Sequence, residues 1–125
     1  MRTINAIESS QKHFEYCPLD TTLGILSGKW KSIIICRLMS ASLHFSELHK
    51  EIPRCSKRML ALQLSELQED QIIKRQVTAT FHTEYSLTAW GGQSLAPLVT
   101  ALNSWGRHYL KENAGKIAGN NNLDC

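Results

Sequence analysis

A chain of 125 residues, 42% hydrophobic and 20% charged, reads as one globular domain able to bury a core without a metal or disulfide staple. Its formal net charge of +3 is mildly basic and suits a polyanionic partner without requiring one. No apolar run reaches the ~20 residues that span a bilayer, and residues 1–16 lack the apolar core of a secretory signal, so a cytoplasmic protein with no membrane partner is expected.

Residues 1–16 show no clear period and read as an N-terminal arm. Cys17-Pro18-Leu19-Asp20 is a helix start, because proline is accepted in a first turn and Asp20 complements the positive helix end. Leu23, Ile25 and Leu26 make a short helix that Gly28 can end. Lys29–Met39 is a second helix, apolar on most sides through Trp30, Ile33, Ile34, Ile35 and Leu38, and therefore expected in the core. Leu43-His44-Phe45 reads as a brief strand leading into a helix over Ser46–Ile52 that Pro53 stops. After a turn of about four residues, Ser56 caps a helix that runs through Leu67.

That helix is the most informative feature of the sequence. Leu60, Leu64 and Leu67 share one face at core spacing, and Arg58, Ala61, Leu62 and Ser65 share the opposite one. Lys57 and Arg58 concentrate positive charge at the end where free backbone N–H groups already favour phosphate oxygens. Two strand-like stretches follow, Ile72–Thr80 and Thr83–Leu87, joined around Phe81-His82. The order helix–turn–helix–hairpin predicts a mainly α fold with a small β-hairpin wing, a winged helix-turn-helix that docks on DNA.

A last helix is expected over Ala89–Glu112. Leu95, Leu98, Val99, Leu102, Trp105 and Tyr109 form a stripe too long for the small body before it to cover, which predicts a homodimer interface, and Pro97 is expected to bend this helix. The domain is thus placed at 17–112 with the dimer helix included, and residues 113–125 read as a flexible tail.

With its elements in this order, the chain resembles the HxlR family of bacterial winged-helix regulators, relatives of the MarR group. The resemblance is carried by Cys17-Pro18-Leu19, Gly28-Lys29-Trp30-Lys31, Phe45-Ser46-Glu47-Leu48, Ile52-Pro53, Ser56-Lys57-Arg58-Met59-Leu60, Leu64-Ser65-Glu66-Leu67, Tyr85-Ser86-Leu87-Thr88 and Trp105-Gly106. It implies a dimeric, cytoplasmic transcription factor that binds double-stranded operator DNA with an inverted repeat. It also implies that the cysteine at position 17 can sense electrophiles or oxidants. The chain departs from the family pattern in three places. Gln71 stands where glycine usually follows the recognition helix, Phe81-His82-Thr83 replaces a wing tip with proline and arginine, and Trp90 is unusually bulky.

Candidate DNA contacts are therefore Ser56, Lys57, Arg58, Ala61, Leu62 and Ser65 on the recognition helix and Lys74, Arg75 and His82 on the wing. Arg58, Leu62 and Ser65 are the expected base readers, with Leu62 suited to a thymine methyl. Lys57, Lys74 and Arg75 suit phosphate positioning, and Gln63 lies too near the buried edge to read. Cys17 is the first candidate redox sensor, being at a helix N-terminus that favours thiolate chemistry. Cys55, beside the recognition helix, and Cys125 come after it, and Cys36 reads as core. The cysteines form no C-x-x-C pair and the histidines show no helical i, i+4 pairing, so neither a metal site nor a cofactor is expected. No nucleophile elbow or phosphate loop marks an enzyme. Two alternatives stand beside thiol sensing: the same fold gated by a small molecule bound between dimer helix and core, and a winged-helix protein–protein module.

Overall fold

A computed structural model describes residues 17–78 and 82–114; the N-terminal arm, the hairpin tip at Phe81 and the tail with Cys125 lie outside the described residues. In chain order the elements are α1 (Pro18–Leu26), α2 (Lys31–Leu38), β1 (Leu43–His44), α3 (Phe45–Glu51), α4 (Lys57–Glu69), β2 (Ile73–Val77), β3 (Thr83–Leu87) and α5 (Gly91–Glu112). The strands form an antiparallel sheet in the order β1-β3-β2. This is the expected mainly α winged helix-turn-helix with a long C-terminal helix.

The core follows from the apolar spacing. Trp30, Ile34, Ile35 and Leu38 from α2 meet Leu48 and Ile52 from the α3 end, Leu60, Leu64 and Leu67 from α4, and Ile73, Tyr85 and Leu87 from the sheet. Each such side chain, fully buried, contributes on the order of 1.5–3 kcal/mol of transfer free energy. α2 starts at Lys31, two residues later than its periodicity suggested, because Gly28 adopts φ 115° and Trp30 is the N-cap residue. α5 likewise starts two residues late. Thr88 Oγ1 accepts from the Gly92 N–H at 2.9 Å and donates to the Gln71 carbonyl at 2.8 Å, which holds Thr88–Trp90 as a turn. A Cβ on Gly91 would run into the Gln71 carbonyl oxygen, and one on Gly92 into that of Ile72. The long helix is therefore seated directly on the turn that ends α4.

That turn accommodates the first departure. Gln71 takes φ 63°, in the left-handed region. The Ile72 N–H donates to the Leu67 carbonyl and the Gln71 N–H to the Gln68 carbonyl, both at 3.0 Å, the bonding pattern of a Schellman cap. A side chain there carries a left-handed penalty that glycine does not. Gln71→Gly is expected to stabilise the fold by about 0.5–1 kcal/mol, read as a rise of a few degrees in the midpoint of thermal unfolding.

The stripe on α5 divides. Val99 is buried and Leu95 partly so, both against the protomer's own core, whereas Leu98, Leu102, Trp105 and Tyr109 are exposed. At about 100° per residue the two rows lie roughly a quarter turn apart. Of the six residues expected in the dimer interface, Leu95 and Val99 thus pack against the protomer's own core and the other four are open to solvent.

Candidate nucleic-acid interface

The candidate reading helix is α4, presented by the turn after α3. Ser56 is its N-cap residue, and Ser56 Oγ accepts from the Met59 N–H at 3.1 Å, satisfying one of the unpaired amides of the first turn. Leu60, Leu64 and Leu67 are fully or almost fully buried, and Gln63 is buried with them. Lys57, Arg58, Ala61, Leu62 and Ser65 are all exposed. Leu62 is 49% exposed, an uncompensated apolar group in the middle of a polar helix face. The buried row thus fixes which face points outward, and the five candidates on α4 fall on it together.

The wing separates its two basic residues. Register pairs Arg75 with Tyr85 and Lys74 with Ser86. Because side chains alternate across a sheet, Arg75 shares the body-side face with Ile73, Tyr85 and the 65% exposed Val77, while Lys74 lies on the outer face. His82 is exposed beside the hairpin tip. Its ring lies 5.2 Å from that of His44, a residue that the β1–β3 ladder brings next to Glu84. His44 itself is held by Nδ1 at 3.2 Å from the Thr83 carbonyl.

Sequence reasoning missed His44, since nothing local says that a two-residue strand will join the wing. It also missed Met59, 38% exposed beside Arg58, and Arg54, exposed in the turn before α4. Arg54 was legible as a cation in the turn that leads into α4.

Two free thiols are present among the described residues, and their settings differ. Cys17 is the N-cap residue of α1, half-buried, and its side chain makes no capping hydrogen bond. Cys55 is 1% exposed, and burial pushes its thiol pKa up, which keeps it protonated and poorly nucleophilic. Cys36 is partly buried and packs against the core, as its place in the most apolar helix predicts. Among the described residues no group of three or more His, Cys, Asp or Glu stands in position to hold a metal ion, and no helix is long and apolar enough to cross a membrane.

This arrangement of capped helix, outward basic face and hairpin coincides with a known pattern: the HxlR-like helix-turn-helix signature matches residues 25–114. The chain belongs to the HxlR family. It is 41% identical over 105 residues to the HTH-type transcriptional regulator YdeP of Bacillus subtilis strain 168, covering 82% of this chain and 81% of YdeP. Among solved structures it is similar to the redox regulator HypR in its oxidized form, at 37% identity and a TM-score of 0.69, over 74% of this chain and 96% of HypR. It is also similar to the quinone-bound form of YodB from B. subtilis, at 31% identity and a TM-score of 0.64, over 74% of this chain and 98% of YodB. This HxlR-family member is therefore a transcriptional regulator of the helix-turn-helix type.

Proposed function

We propose that the protein acts in the cytoplasm as a homodimer on an inverted-repeat operator and leaves it when Cys17 is oxidised or alkylated. The carrying observation is the outward face of α4. Arg58, Ala61, Leu62 and Ser65 stand free opposite a fully buried leucine row, with Lys57 at the helix start. Such a helix fits a major groove with its first turns at the base edges. Arg75, Val77 and His82, exposed on the wing, supply the second backbone or groove contact, and Lys74 on the outer face is the weaker candidate. Two-fold symmetry then sets half-sites about one helical turn, ~10 base pairs, or a multiple apart. The thiol part rests on Cys17 being free and only half-buried and on the likeness to HypR and YodB.

Arg58→Ala tests the reading face. On a duplex enriched by in vitro selection with the wild type, affinity is expected to fall by about 1–3 kcal/mol, with a smaller loss on random duplex. Equal losses on both would make Arg58 a phosphate contact.

One observation favours a second reading, gating by a small molecule. A cavity of about 370 Å³ lies between the end of α2, β1, the end of α3 and the middle of α5. Arg37, Glu51, Thr100 and Asn103 supply its polar groups, and Met39 and Leu43 its apolar ones. An occupant there would bear on α5 and the helix-turn-helix at once.

A further inference from the structure

The least expected charge in the protein is Lys31, 1% exposed at the first turn of α2. Its Nζ lies 2.5 Å from Glu66 Oε1 on α4, and Glu66 is 27% exposed. Taking an ammonium out of water is costly, and a buried ion pair commonly stabilises a fold no better than apolar side chains of the same volume. What such a pair does impose is geometry, because a buried charge tolerates few positions of its partner. Glu66 directly follows Ser65 and lies one turn beyond Leu62. Fixing Glu66 against α2 therefore fixes the rotation of α4 about its own axis, and with it the direction in which Arg58, Leu62 and Ser65 point.

A second contact lies one turn earlier. Gln63 is 7% exposed, and its Oε1 has no hydrogen-bond partner among the described residues. That oxygen is 3.0 Å from where a Cβ on Gly28 would stand, so the loop before α2 rests directly on α4. Gln63 Nε2 donates to Met59 Sδ at 3.2 Å. Gln63 and Glu66 thus bear on the Gly28–Lys31 segment from one side of α4, with Met59 tied to them through Gln63, beside the reading face and outside it.

We propose that the Lys31–Glu66 pair is a strut that sets the pose of the recognition helix, making both positioning residues for sequence-specific DNA binding. The proposal rests on α4 being the DNA reader. Neither residue touches DNA in this arrangement, and the strut acts through Arg58, Leu62 and Ser65.

The test is the double variant Lys31→Met/Glu66→Gln, which keeps both side-chain volumes and leaves the net charge unchanged, so electrostatic attraction to DNA is not altered. Its thermal midpoint is expected to match or exceed that of the wild type. Its affinity for the selected duplex should fall at least about tenfold, while affinity for random duplex stays within about twofold. Hydrogen exchange of the α4 amides should quicken in the free protein at that unchanged midpoint, and Lys31→Arg should restore most of the specific affinity. Wild-type specific affinity in the double variant overturns the proposal, and so does loss of the fold, which would make the pair a stability element. A wild type that enriches no duplex and shows no salt-dependent binding would instead bring down the DNA reading itself.

Discussion

Leu102→Asp is expected to convert the proposed dimer to a monomer and to abolish operator binding at concentrations where the wild type is saturated. Leu102 is 46% exposed in the protomer, between Leu98 at 37% and Trp105 at 68%. Tyr109 stacks on Trp105 with ring centres 5.3 Å apart, so the outer row of α5 is a continuous apolar ridge. Because Leu102 is not part of the protomer's own core, aspartate there leaves the monomer's packing intact. In an isologous interface the substitution enters twice. An uncompensated buried charge costs about 3–5 kcal/mol, enough to move a tight dimer into its monomers at micromolar concentration. Losing the dimer loses the second half-site, and the operator affinity goes with it. Analytical ultracentrifugation and a melting curve decide the matter together. A variant that melts like the wild type and sediments as a monomer places the interface on this row. One that sediments as a dimer leaves the ridge without that role.

The division of α5 also shows where the sequence stops being legible. Hydrophobic period alone put Leu95, Leu98, Val99, Leu102, Trp105 and Tyr109 on one stripe, and the helix does carry them on one side. Which edge of that stripe belongs to the protomer depends on where the helix is seated, and that is decided by Gly91 and Gly92. Their lack of Cβ atoms lets α5 approach the carbonyls of Gln71 and Ile72, a tertiary fact that no periodicity contains.

The outward face of α4 was legible for the opposite reason. Three leucines at core spacing decide which side of the helix is buried, so the exposure of Arg58, Ala61, Leu62 and Ser65 followed from the same three residues. The left-handed cap at Gln71 could be posed as a question from sequence but not answered, since glutamine gives no signal for positive φ. His44 was invisible because β1 is two residues long and is a strand only through pairing with Tyr85 and Glu84. Lys31 was invisible as a buried residue because the amphipathic rule places lysine outside. It enters the core through Glu66, 35 positions later, and no local pattern announces a partner at that distance.

Cys17→Ser is expected to leave folding and reduced-state DNA binding within about twofold of the wild type while abolishing release by diamide or quinone. Serine is itself a good N-cap residue, and the Cys17 thiol makes no capping bond to lose. The bonds that do fix this helix start run to the Cys17 carbonyl, from the Thr21 N–H at 2.9 Å and the Thr21 hydroxyl at 3.0 Å, and they survive the substitution. Chemically the half-buried, free Cys17 is open to attack in a way that Cys55 is not. A quinone would add to its sulfur as a thioether, and diamide would couple it to a second thiol while being reduced to the hydrazine. Either product adds bulk where Pro18 fixes the start of α1. That helix has no fully buried residue. It touches the core through the partly buried Ile25 and Leu26 and turns Leu19 and Leu23 outward, so it is among the elements that move at least cost. Its C-terminal end runs straight into the Gly28–Lys31 segment that supports α4, so a displaced α1 bears on the pose of the reading helix. In the wild type, diamide should lower affinity for the selected duplex by at least about tenfold, and native alkylation should label Cys17 well before Cys55. Release that persists in Cys17→Ser but vanishes in Cys55→Ala would move the sensor to the thiol beside the recognition helix. Release of Cys17→Ser by an aromatic compound without any thiol chemistry would select the cavity between α2 and α5 as the controlling site.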